Sequence, residues 1–135
     1  MLAVCVAGAG LLVSASIPLA AHHSFAAEFD STKAVTLQGA VTKLDWMNPH
    51  IWIYLDTQDE SGTVAHRQCE GGPPNALTRN GWSKDSLKIG DQATIEGFRS
   101  KDGTNTCNAR SVKLPSGKNV FAGSAEDGAP KRPAQ

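Results

Sequence analysis

From Val35 the chain alternates. Val35, Leu37, Gly39 and Val41 face one way, and Thr36, Gln38 and Thr42 the other. That two-residue period predicts a half-buried strand. The phase then slips, because Leu44 and Trp46 are apolar on the side that had been polar. An extra residue near Thr42-Lys43, or a bend onto a second sheet face, accounts for the slip. After Met47-Asn48-Pro49, the run Ile51-Trp52-Ile53-Tyr54-Leu55 predicts a second strand that is apolar on both faces. Asp59-Glu60-Ser61-Gly62 predicts a hairpin turn, with Thr63 to Glu70 as a third strand ended by Gly71-Gly72-Pro73-Pro74. Asn75 to Arg79 fits a short helix stopped by Asn80-Gly81. Leu87 and Ile89 lead to a turn at Gly90-Asp91, and Ala93, Ile95 and Gly97 then alternate with Thr94, Glu96 and Phe98 in a fourth strand. Lys101-Asp102-Gly103 turns into a fifth, Asn105 to Leu114, and Pro115-Ser116-Gly117 allows one more hairpin to Val120 and Phe121.

Three strands, a short helix and two strands predict an all-β domain with one short helix: a small five-stranded OB-like closed barrel. The competing arrangement is an open sandwich with the same strands paired differently. In the barrel, the third and fifth strands are neighbours. Cys69 ends one and Cys107 lies near the start of the other, so the two could meet across a ladder.

Composition matters once the beginning is set apart. The first 21 residues carry no charge, and 16 of them are hydrophobic. They end in Leu19-Ala20-Ala21 before the polar His22-His23-Ser24, which reads as a secretory signal peptide. A retained anchor would need about 18–20 uniformly apolar residues, and Ser14, Ser16 and Pro18 break the run. The predicted organisation is a leader over 1–21, an N-terminal arm over 22–33, the OB-like domain over 34–122 and a disordered tail over 123–135, in a periplasmic or secreted protein. Only about a third of the residues after the leader are hydrophobic, enough for one small core. With 13 basic against 13 acidic residues, no positive field exists for nucleic acid or an anionic membrane surface. No membrane association is expected after cleavage.

Export also changes the cysteine count. Cys5 leaves with the leader, and Cys69 and Cys107 remain as an even pair in an oxidising compartment, which predicts a disulfide. Closing a loop of roughly 40 residues contributes about 3–4 kcal/mol. A thiol metal site would need a closer cysteine spacing than this chain has.

Four histidines follow the leader: His22, His23, His50 and His66. Cleavage after Ala21 would give His22 a free α-amine beside its imidazole, a natural chelate. Cleavage after Ala20 would give Ala-His-His. Both donor sets suit Cu(II) or Ni(II). His50, just past Asn48-Pro49, could close a site if the arm folds back over that loop. His66, beside Arg67 on a strand, reads as a solvated residue, as do Asp45, Asp56 and Glu96. Glu70 could be a ligand, an acid/base or a partner for the terminus of the following helix, the last being the commonest role for a carboxylate there. On the second strand, Ile51, Ile53 and Leu55 are expected to fill the barrel, leaving Trp52 and Tyr54 on its outer face. With Trp46 they form a candidate ligand or partner surface. Coverage of these rings by Phe25 and Phe29 of the arm, or by the helix with Trp82, is the expected arrangement.

The blocks His22-His23-Ser24-Phe25-Ala26-Ala27-Glu28-Phe29-Asp30, Asn48-Pro49-His50, Leu77 to Arg79, Gly81-Trp82, and Leu87 with Gly90-Asp91 resemble a family of small secreted bacterial proteins of unknown function. The resemblance implies export and a compact β domain, and it supplies no catalytic residues. The cysteine pair is not part of that pattern.

No nucleophile triad, phosphate-cradling loop or paired-carboxylate motif is recognisable, so hydrolase or transferase activity is not expected. The leading expectation is an exported, non-catalytic binding or accessory domain, and its sharpest version binds copper through His22, His23 and His50. The alternative is a structural module that engages an envelope protein or a small ligand through the strand-face aromatics.

Overall fold

In a computed structural model, which describes residues 24–123, the strands form where the alternation places them and close into a ring. Helix α1 (Phe25–Glu28) runs straight into β1 (Phe29–Asp45), and β2 (Trp52–Gln58) and β3 (Val64–Glu70) follow. Helix α2 (Pro74–Arg79) leads to β4 (Gln92–Ser100), β5 (Thr106–Lys113) and β6 (Asn119–Phe121). Antiparallel pairs join β1 to β2, β2 to β3, β1 to β4 and β4 to β5. A parallel pairing of β3 with β5 closes the circuit. This is the predicted five-stranded OB-like order, and the closing pair excludes the open sandwich. β6 adds a sixth strand on the free side of β5. The predicted leader, His22, His23 and all of the predicted tail beyond Gly123 lie outside the described residues.

The irregularities have local causes. The β1–β2 register shifts between Val41 and Lys43, so Thr42 is the extra residue that turns Leu44 inward toward the core. The first strand starts at Phe29, six residues before the alternation becomes visible at Val35. Residues Ser31 to Ala34 are exposed, and the β1–β4 register shifts between Phe29 and Ala34. With no face to bury, that stretch has no apolar period to read. Part of the predicted arm is therefore strand.

Inside the ring, Ile51, Ile53, Leu55, Ile95 and Val112 are fully buried. Leu77 of α2 and Trp82 plug one end, the end where β3 finishes and β4 begins. Trp82 donates its indole N–H to the Phe121 carbonyl at 2.9 Å, so the buried ring keeps a partner for its polar atom. Helix α2 ends at Gly81, whose φ of +88° is open to glycine, with the Trp82 amide returning to the Leu77 carbonyl.

Three aspartates build local turns by accepting nearby donors. Asp30 takes the amide and hydroxyl of Thr32, and Asp102 those of Thr104. Asp59 takes the amide and hydroxyl of Ser61 and the amide of Thr63. These hydrogen bonds hold all three carboxyls below the ordinary aspartate value of 3.8, the Thr32 side chain acting most on Asp30, the Ser61 side chain on Asp59 and the Thr104 amide on Asp102. A depressed folded-state value stabilises the turns fully above the unfolded value, and the effect is lost as pH falls through the folded one. Carboxyl resonances of Asp30, Asp59 and Asp102 are accordingly expected to titrate below 3.8, with the hairpin amides loosening only below that point. Titration at the ordinary value would show that the turns do not hold these contacts.

Candidate functional site

The β2–β3 hairpin is centred on Ser61, and this register sets the outer face. Trp52 lies opposite Glu70, Tyr54 opposite Gln68, and Asp56 opposite His66. The parallel seam brings Thr106 beside Gln68 and Asn108 beside Glu70, while β4 places Phe98 opposite Asn108. One row, Trp52–Glu70–Asn108–Phe98, thus crosses four strands on the outside of the ring. At about 4.8 Å per strand, Phe98 and Glu70 are roughly 10 Å apart.

His50 lies two residues before Trp52, on the same face. Its Nδ1 meets Oε1 of Glu70 in a close pair. Glu70 is buried and His50 half-buried. Next to Glu70, Asn108 is only 3% exposed, and its Oδ1 has no hydrogen-bond partner. The loop behind His50 is held by backbone bonds: the Gly71 amide reaches the Ile51 carbonyl at 2.9 Å, and the Ile51 amide reaches the Gly72 carbonyl at 3.2 Å. The Asn48-Pro49 peptide that precedes His50 is cis.

This arrangement has a chemical consequence. With Nδ1 facing the Glu70 carboxylate, the proton of a neutral imidazole belongs on Nδ1 and the lone pair on Nε2. A carboxylate behind one ring nitrogen fixes the ring's orientation and tautomer, an arrangement also found behind histidines that ligate metals. Glu70 therefore serves His50, not the terminus of α2 as its sequence position suggested. The signal was available in the hairpin: once the turn is centred on Ser61, Glu70 falls opposite Trp52 and on the same face as His50.

The other predicted residues are placed as follows. Phe25 and Phe29 do not cover Trp52 or Tyr54. They pack together at 5.7 Å, and Phe25 meets Phe98 edge-on at 5.6 Å. Trp82 is committed to the core. The expected coverage of the second-strand aromatics is thus corrected: the arm lies at the Phe98 end of the row, because that is where an apolar outward side chain awaits it. Trp52 and Tyr54 are half-buried, and Lys43, bonded to Asp45 at 2.7 Å, stands over the Tyr54 ring at 5.0 Å. Trp46 packs against the core. His66 is exposed and meets Asp56 at 2.6 Å. Glu96 accepts the Ser111 hydroxyl at 2.9 Å, so neither Asp56 nor Glu96 is simply solvated. Cys69 and Cys107 form the predicted disulfide, buried on both sides at Cα–Cα 4.5 Å. Among the described residues, no three His, Cys, Asp or Glu side chains gather as a metal site. Sequence reasoning did not single out Asn108 or Phe98.

The DUF6152 family, described as a family of unknown function, matches residues 9–109. No curated protein matches the sequence. Among solved structures, the chain is similar to the N-terminal domain of PriB protein from Thermoanaerobacter tencongensis, at 21% identity and a TM-score of 0.43, covering 62% of this chain and 96% of that one.

Proposed function

Since the chain belongs to the DUF6152 family, whose function is unknown, we propose one from the geometry: an exported, non-catalytic domain that binds Cu(II) at the outer face beside β3. The observation that carries this reading is the pairing of His50 Nδ1 with Glu70, which leaves Nε2 as the ligating nitrogen. The buried disulfide supports residence in an oxidising compartment.

The remaining ligands would come from His22, His23 and the freed terminal amine. Phe25, seated against Phe98, fixes where the chain enters the row. His23 lies two residues before Phe25, and an extended chain advances about 3.3–3.6 Å per residue. With the length of an imidazole added, that reach matches the roughly 10 Å from Phe98 to Glu70. Imidazoles plus an amine nitrogen suit Cu(II). The role proposed is binding, with Glu70 as the carboxylate that orients His50.

Titration of the protein cleaved after residue 21 with Cu(II) is expected to show tight one-to-one binding. Glu70→Gln should weaken it about 10–100-fold by freeing the ring, and His50→Gln should weaken it further. One extra residue at the N-terminus should displace the amine and change the copper spectrum. Equal, weak binding by all four proteins would sink the proposal.

A further inference from the structure

We propose that the end of the ring opposite α2 binds a small-molecule oxyanion, a carboxylate or a phosphate, through Arg67 and Arg99. This site lies away from the copper site and does not depend on it.

Along β3, Ala65, Arg67 and Cys69 face the inside of the ring, so Arg67 enters the interior from the strand opposite Leu55. Arg99 of β4 is in register with Cys107, which also faces inward. Arg67 and the exposed Arg99 both border one narrow gap of about 10 Å³ at this end. Arg67 also lines an adjoining groove of about 400 Å³, where β1 separates from β2 beyond the Gly39–Thr57 pair. Leu37, Gln38, Thr57 and Ala65 form its other walls. That volume falls within the range of small-ligand sites.

The charges at this end are not balanced locally. Arg67 gives one Nη1 hydrogen bond to Asn105 Oδ1 at 2.7 Å, a neutral acceptor. Its Nε is buried and has no acceptor. Among the described residues, no carboxylate pairs with Arg67 or Arg99. The acid on the groove rim, Asp59, is turned to its own hairpin, where Ser61 and Thr63 occupy it. A strand interior normally excludes an unpaired guanidinium, and two that line one cavity repel each other. An oxyanion resolves both problems. Its oxygens accept from the Nε edge of Arg67 in the two-point geometry that guanidinium favours, and Arg99, across the adjoining gap, adds a second positive charge nearby.

The test is a titration of the disulfide-intact protein with inorganic phosphate and, separately, with succinate. Sodium chloride at matched ionic strength is the control. The readouts are the Arg67 Nε–H resonance and the Thr57 and Ala65 amides. A saturable shift of the Arg67 Nε–H with phosphate or succinate, absent with chloride, supports the proposal, and the tighter of the two identifies the oxyanion. Arg99→Gln, at an exposed position, should weaken that binding about tenfold. Arg67→Gln should abolish it, and if that variant does not fold, Arg99→Gln decides. Linear shifts matching those of chloride, or unchanged affinity in Arg99→Gln, would overturn the proposal.

Discussion

Gly97→Ala is expected to unfold the protein. A Cβ at this position would lie 1.8 Å from the Asn108 carbonyl oxygen and 2.9 Å from its carbon. Both atoms are backbone, so no rotamer change relieves the clash. Gly97 also borders the register shift that makes Arg110 the extra residue on β5. Separating the two strands breaks the β4–β5 ladder and displaces Asn108, which neighbours Glu70 across the seam. Overpacking of this kind costs upward of about 3 kcal/mol, a large part of the 5–15 kcal/mol or so that holds a typical domain together. The control is Gly103→Ala. A Cβ there meets nothing within 4 Å, and only its φ of +76° resists the change. That substitution should cost about 1–2 kcal/mol. Thermal unfolding followed by circular dichroism separates the two. A Gly97→Ala protein that melts with the wild type would mean that the strands can part at this point without loss.

Removing the disulfide is expected to produce the second large effect. The β3–β5 seam closes the ring over only three residue pairs, Gln68–Thr106, Cys69–Cys107 and Glu70–Asn108. Its side-chain support includes the Gln68–Thr106 hydrogen bond at 3.1 Å and the Arg67–Asn105 bond at 2.7 Å just before β5, together with the sulfur bridge. The bridge joins residues 38 apart, so it restrains a long loop of the unfolded chain. The double change Cys69→Ala with Cys107→Ala should therefore cost about 3–4 kcal/mol. In a domain of about 100 residues, that lowers Tm by roughly 15–30 °C. Both sulfurs are buried, so the intact protein should also resist reductants that do not open the ring. A double variant that melts within a few degrees of the oxidised protein would show that the ladder alone holds the seam.

Much of this fold was legible because one face of each strand is buried. The alternation from Val35 to Val41, the slip near Thr42, the Asp59 hairpin and the helix stop at Gly81 all appear in the structure with their expected causes. The cysteine pair also lies where strand order placed it. The start of β1 was hidden, since Asp30 to Lys33 are polar on a stretch with nothing to cover. The docking of the arm was hidden for a different reason. Phe25 and Phe29 announce an apolar face without naming its partner, and Phe98 reads as one more outward residue until β4 and β5 are aligned. Glu70 was the sharpest miss. Sequence proximity favoured the helix that follows it, whereas hairpin register gives it to His50.

The backbone bonds behind His50 continue further than the loop itself. The Gly72 amide reaches on to the carbonyl of Ala122 at 2.8 Å, and the Ala122 amide returns to Arg110 at 2.9 Å. A Cβ at Gly71 would strike both Ile51 and that same Ala122 carbonyl, so the three segments are stacked without slack. The segment around Ala122 therefore acts as a doorstop for the histidine loop. A fusion joined ahead of Asn119, or a cut there, would reach the imidazole through main-chain atoms alone.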